Sequence, residues 1–121
     1  MPVLLAVRDL LFRSRIQAAA DRLGVPVRLL PRGTPLSVGA RALGGGTVLA
    51  DLSEPGVLDE LRAAKAGGGV RIVGFLGHLE ADLARTAAGA GADEVLSRGE
   101  LARRLDEVLL AAAAPAQGAA R

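Results

Sequence analysis

The sequence predicts an α/β chain, a single doubly wound sheet of five parallel strands in one domain. Three observations predict it. Short apolar runs alternate five times with segments whose apolar residues recur at helical spacing. A helix between every two strands makes each connection a crossover, which joins parallel neighbours and leaves helices on both faces. A chain of 121 residues, 50% of them hydrophobic, is long enough for one core and too short for two.

The elements follow in order. Val3-Leu4-Leu5-Ala6-Val7 is continuously apolar, as a strand buried on both faces must be, and it ends at Arg8-Asp9. Phe12, Ile16, Ala19 and Leu23 then form one helical stripe, which Gly24 stops. Val25 to Leu30 is a second strand, placed at an edge by Pro26. Thr34-Pro35 offers an N-cap and a proline at N1 for a helix over 35–43. Thr47 to Ala50 is the third strand, closed by Asp51. Leu58, Leu61 and Ala64 mark the next helix, and Val70 to Leu76 the fourth strand. Leu79, Leu83, Ala87 and Ala90 mark a helix from about Leu79 to Ala90. Glu94-Val95-Leu96 is a brief fifth strand, and Leu101, Leu105, Val108 and Leu109 line the last helix. From Ala111 the chain is rich in alanine with little apolar bulk, so 1–110 is read as the domain and 111–121 as a disordered tail.

Composition excludes several functions. Phe12 and Phe75 are the only aromatic residues, too few for a base-stacking surface, so nucleic acid is not an expected partner. The absence of cysteine excludes thiol chemistry and suits a reducing cytoplasm. No apolar stretch reaches the ~18 residues of a membrane span, and no signal segment is seen, so the expectation is a soluble cytoplasmic protein without membrane partners. The glycine triplets 44–46 and 67–69 follow helices and precede strands, the reverse of the order a phosphate loop needs. Net charge is only +2, but arginines 8, 13, 15, 22, 28, 32 and 41 face just Asp9 and Asp21 in the first third of the chain. That imbalance suits either a solvated face or docking to an acidic protein.

Two segments carry a family resemblance. Val48-Leu49-Ala50-Asp51-Leu52-Ser53-Glu54-Pro55-Gly56 is an apolar strand ending in an acid and a Pro-Gly turn. Ala88-Gly89-Ala90-Gly91-Ala92-Asp93-Glu94-Val95-Leu96 leads into the fifth strand. Both resemble the receiver domain of bacterial response regulators, a CheY-like, flavodoxin-like fold with strand order 2-1-3-4-5. The resemblance spans residues 3–110. It makes Asp51 the candidate phospho-acceptor and implies a Mg²⁺ site, with Asp9 and Asp51 as its metal ligands.

The remaining positions depart from the family. Receivers hold Mg²⁺ with an acid pair after the first strand, and this chain has Arg8-Asp9 there. They place a hydroxyl at the end of the fourth strand, where Phe75, Leu76 and Gly77 stand. They place a lysine at the end of the fifth, where Arg98 stands. The fifth strand has Val95 and Leu96 and lacks the aromatic switch residue. The expectation is a pseudo-receiver: a regulatory module that docks to another signalling protein, has no enzymatic activity, and works without phosphorylation or a cofactor. The alternative is a Mg²⁺-dependent response regulator phosphorylated on Asp51.

Three finer expectations follow. Arg8 is expected to lie against Asp9 and Asp51 in place of the metal, with Arg98 completing the acid pocket as an anion-binding group. Leu10 and Leu11, read as a loop, are expected to form with Arg13, Arg15 and Arg22 a basic-rimmed apolar docking surface. His78, the single histidine, reads as a loop residue or the start of a helix. No serine stands in a nucleophile-elbow motif.

Overall fold

Runs of valine, leucine and isoleucine build the sheet, and their alternating side chains supply both faces of the core. The computed structural model describes residues 2–77 and 81–114. Val3–Ala6 (β1), Val27–Leu29 (β2), Gly46–Asp51 (β3), Val70–Leu76 (β4) and Glu94–Ser97 (β5) form one sheet in the order β2-β1-β3-β4-β5. Every neighbouring pair is parallel, as expected.

The first strand shows why its run is apolar without interruption. Val3 and Leu5 share a core with Phe12 and Ile16 of α1 (Leu10–Leu23), Leu101 of α5 (Arg98–Arg103), and Leu105, Val108 and Leu109 of α6 (Leu105–Ala113). Leu4, between them, belongs to the opposite core. Its companions include Leu36 and Ala40 of α2 (Leu36–Leu43), Leu61 of α3 (Val57–Ala66), and Ala87 and Ala90 of α4 (Ala81–Ala90). The stop at Gly24 is as read: it closes α1 in the left-handed conformation, with its N–H on the carbonyls of Ala20 and Asp21.

Four boundaries differ from the sequence reading. Asp9 is the N-cap of α1, its side chain accepting the Phe12 N–H at 3.1 Å, so Leu10 and Leu11 form the first helical turn instead of a loop. Pro35 takes the cap position of α2 in place of Thr34. The Leu36 N–H donates instead to Glu60 Oε1 of α3 at 3.0 Å, a long-range cap that no local pattern announces. The last helix breaks at Arg104, whose side chain meets Glu100 at 3.2 Å and Glu107 at 3.0 Å. Finally, α6 continues to Ala113, past the expected tail boundary at Ala111. Ala112 is buried, and its carbonyl accepts Thr47 Oγ1 at 3.2 Å. His78, Leu79 and the tail from residue 115 lie outside the described residues.

The Ala-Gly-Ala-Asp segment has a structural explanation. Asp93 Oδ2 accepts the Ile72 N–H at 2.7 Å and the Lys65 ammonium at 2.7 Å, while the Asp93 N–H donates to the Ile72 carbonyl at 2.7 Å. These bonds tie the loop before β5 to β4, which sets the register that brings Arg98 to the carboxyl edge beside Asp51.

Candidate functional site

Asp51 ends β3 at the carboxyl edge of the sheet, opposite Phe75 of β4, and only 4% of its surface is exposed. The turn after it is made by Gly56, whose φ of 76° favours glycine, and this starts α3. Asp51 Oδ1 accepts both the Ser53 N–H at 2.9 Å and the Ser53 hydroxyl at 2.6 Å. Its other oxygen lies 3.7 Å from the Arg98 guanidinium. Each carboxylate oxygen thus has a fixed neighbour.

Arg98 holds the site together. Its Nη1 donates to Asp9 Oδ2 at 2.9 Å while Nη2 faces Asp51. Its Cζ lies 4.9 Å from the Phe12 ring centroid and 5.7 Å from that of Phe75. The two rings meet edge to face at 5.2 Å. The chain's only aromatic residues therefore support one cation, with two carboxylates on its polar side. Ser97 ends β5 and caps α5 by accepting the Glu100 N–H at 3.0 Å, which puts Arg98 in the first helical position. The segment Ser97-Arg98-Gly99-Glu100 has the capping-box spacing, although Glu100 turns to Arg104.

Asp9 has two tasks. One oxygen caps α1 at Phe12 and the other accepts from Arg98. The Phe12 N–H first, and the Arg98 guanidinium second, hold its carboxyl below the usual aspartate range.

The structure corrects the role expected of Arg8. Its side chain is 66% exposed and pairs with Glu54 of the β3–α3 turn at 3.7 Å, away from Asp9. The reason is electrostatic: Arg98 already stands between the two aspartates, and a second cation would meet its like charge. The structure brings together Asp9, Asp51 and Arg98, and it divides the expected docking residues. Leu10 and Arg13 line a cavity beside the site, whereas Arg22 forms an ion pair with Asp106 of α6 at 2.6 Å. Leu11 and Arg15 remain exposed on α1.

Two contributors were not read from the sequence. Ser53 had a local signal, a hydroxyl residue two positions after an acid before a turn. The pairing of Phe12 and Phe75 over Arg98 had none, because it joins three distant elements.

The geometry does not fit Mg²⁺. A hard cation needs several oxygens around it. Here the space between the two carboxylates holds a guanidinium, and Arg8 stands where a third acid would complete the set. Among the described residues no cluster of three or more acidic, histidine or cysteine side chains could hold a metal. The end of β4 carries Phe75 and Leu76, with Gly77 after it, and none of the three has a hydroxyl.

No family model and no curated protein sequence matches the chain. Solved structures do match it. A response regulator from Hahella chejuensis superposes with a TM-score of 0.79 at 16% identity, over 90% of this chain and 92% of that one. The fold is that of a receiver domain. The receiver domain of a Pseudomonas aeruginosa sensor histidine kinase gives 0.75 at 20% identity, over 92% and 95% of the two chains, and that structure coordinates magnesium in its active-site cleft. An atypical orphan response regulator, described as using a phosphorylation-independent regulatory mechanism, gives 0.72 at 15% identity over 92% and 93%. The receiver fold thus extends over both resembling segments, with Asp51 at the carboxyl edge of its third strand.

Proposed function

We propose that this receiver-fold chain is a pseudo-receiver, a non-catalytic regulatory module that signals by docking to another protein without phosphorylation. One observation carries the reading: the Arg98 guanidinium, seated on Phe12 and Phe75, occupies the space between Asp9 and Asp51. A phosphoryl group arriving at Asp51 would have to displace Ser53 from one oxygen or Arg98 from the other, without a metal to neutralise the incoming charge. The phosphorylation-independent mechanism described for the atypical orphan regulator offers a precedent within the fold.

The docking surface proposed is the start of α1. Leu11 is 84% exposed and Leu10 62%, with Arg15 also exposed nearby. An apolar pair beside an arginine whose side chain has no ionic partner among the described residues is the anatomy of a modest interface, and its charge suits an acidic signalling protein in the cytoplasm.

The test adds Mg²⁺ and beryllofluoride to the ¹⁵N-labelled chain and follows the amides of Asp51, Ser53 and Arg98. The reading expects unchanged positions. Saturable shifts centred on Asp51 would instead favour the phosphorylatable response regulator. For the surface, Leu11→Glu with Arg15→Glu should abolish capture of an acidic partner and change stability by less than about 0.5 kcal/mol per site. Capture that survives both substitutions would place docking elsewhere.

A further inference from the structure

A cavity of about 300 Å³ opens at the carboxyl edge between β1, β2 and β3, and Asp51 borders it. Asp9 and Arg98 do not line it, while the β2–α2 loop does, through Arg32, Gly33 and Thr34. The strand order reverses at β1, whose neighbours are β2 on one side and β3 on the other. Crevices at such switch points are where doubly wound sheets bind ligands. The volume lies at the lower end of the range for small-molecule sites.

Its lining has an apolar floor and a charged rim. Val7, Leu36 and Val57 are nearly fully buried and form the floor. Arg8, Arg13 and Arg32 stand at the rim with Asp51, Glu54 and Glu60. Equal numbers of charges do not mean equal availability. Asp51 is bonded by Ser53 and faces Arg98, Glu54 pairs with Arg8, and Glu60 accepts the Leu36 N–H. The guanidinium groups of Arg13 and Arg32, in contrast, have no hydrogen-bonding or ionic partner among the described residues, the Arg13 backbone N–H alone being taken up by the Asp9 carbonyl at 2.8 Å. Arg13 is half-buried where it lines the cavity, and Arg32 is exposed.

We propose that this cavity is a binding site for a small organic dianion, with an apolar body on Val7, Leu36 and Val57 and its acidic groups on Arg13 and Arg32. Guanidinium groups bind carboxylate and phosphate oxygens with paired hydrogen bonds, so two free arginines over an apolar floor select charge and shape together. The ligand would contact the β1–α1, β2–α2 and β3–α3 connections at once. Binding would therefore reach Leu10 and the docking end of α1 without any chemistry at Asp51. The inference does not depend on whether Asp51 accepts a phosphoryl group.

The test uses benzene-1,3-dicarboxylate, which carries two acidic groups on an apolar ring and no phosphoryl group to transfer. Titrated into the ¹⁵N-labelled chain, it should shift the amides of Val7, Leu10, Gly33 and Val57 saturably. Arg13→Gln combined with Arg32→Gln should weaken binding about tenfold or more, the loss of charge-assisted bonds to both guanidinium groups. Arg103→Gln, an exposed substitution on α5, should leave it unchanged, and thermal melts of each variant confirm that the fold persists. Inorganic phosphate, which lacks the apolar body, should bind distinctly more weakly. The absence of saturable binding, shifts centred on Ser97 and Arg98, equal binding of inorganic phosphate, or affinity indifferent to the paired substitution would each overturn the proposal.

Discussion

Arg98 donates to Asp9 at 2.9 Å across 89 positions of sequence, joining the helix that follows the last strand to the helix that follows the first. The other oxygen of the same aspartate caps α1, and the same guanidinium faces Asp51. One contact therefore couples a helix terminus, a buried acid and the edge of the sheet.

Removing that contact should be felt in stability. Arg98→Ala deletes the cation between two carboxylates and the packing over Phe12 and Phe75. The expected loss is about 1–3 kcal/mol in urea unfolding, kept modest because over a third of the side chain is exposed to solvent. Arg98→Lys keeps the charge and loses the planar stacking, so it should fall between wild type and Arg98→Ala. An Arg98→Ala protein as stable as wild type would show that the bridge is incidental.

The acid limb of the stability curve should report on Asp9. The Phe12 N–H and Arg98 lower its folded carboxyl below the unfolded value. A group lowered on folding contributes stability that is fully present above its unfolded pKa and is lost as pH falls through the folded one. Asp9→Asn retains a capping side chain and removes the charge, so it should flatten the decline below the ordinary aspartate range. Parallel acid limbs for the two proteins would contradict this assignment.

Gly74 is held by close approach. A Cβ there would lie 2.6–2.8 Å from three side-chain atoms of Leu52, the buried residue after Asp51. Gly74→Ala should therefore destabilise by about 1–3 kcal/mol. Combining it with Leu52→Ala should cost less than the sum of the two changes, since the collision disappears. Additive losses would mean the strand adapts by another route.

Metal binding needs two changes, not one. Because Arg8 pairs with Glu54 while Arg98 fills the site, Arg8→Asp alone should leave Mg²⁺ binding absent. Arg8→Asp with Arg98→Lys supplies a second acid beside Asp9 and withdraws the guanidinium fork, so it should bind Mg²⁺ saturably in calorimetric titration. Saturable binding by the single Arg8→Asp variant would show that Arg98 is no obstacle.

The fold was legible because its signals are local and repeated. The runs at Val3, Thr47 and Val70, the stop at Gly24 and the glycine triplets each fix an element or its end. Their alternation fixes the parallel sheet. Asp51 was legible because a strand end and a Pro-Gly turn flank it. The partnership around it was less so. Arg8 adjoins Asp9 in sequence and drew the assignment, yet the residue that bridges the acids is Arg98, brought in by the register of β4 against β5. The Glu60 cap on α2 and the Asp106 partner of Arg22 were hidden for the same reason, since each joins residues from separate helices. Side-chain pairing across a fold depends on packing angles that no short window encodes.

The most direct test of a pseudo-receiver exposes the chain to ³²P-labelled acetyl phosphate with Mg²⁺ and measures label retained on the protein, beside the Asp51→Asn variant. The account predicts background label on both, because Arg98 and Ser53 occupy the Asp51 carboxylate. Label on the wild-type chain that disappears in Asp51→Asn would contradict it.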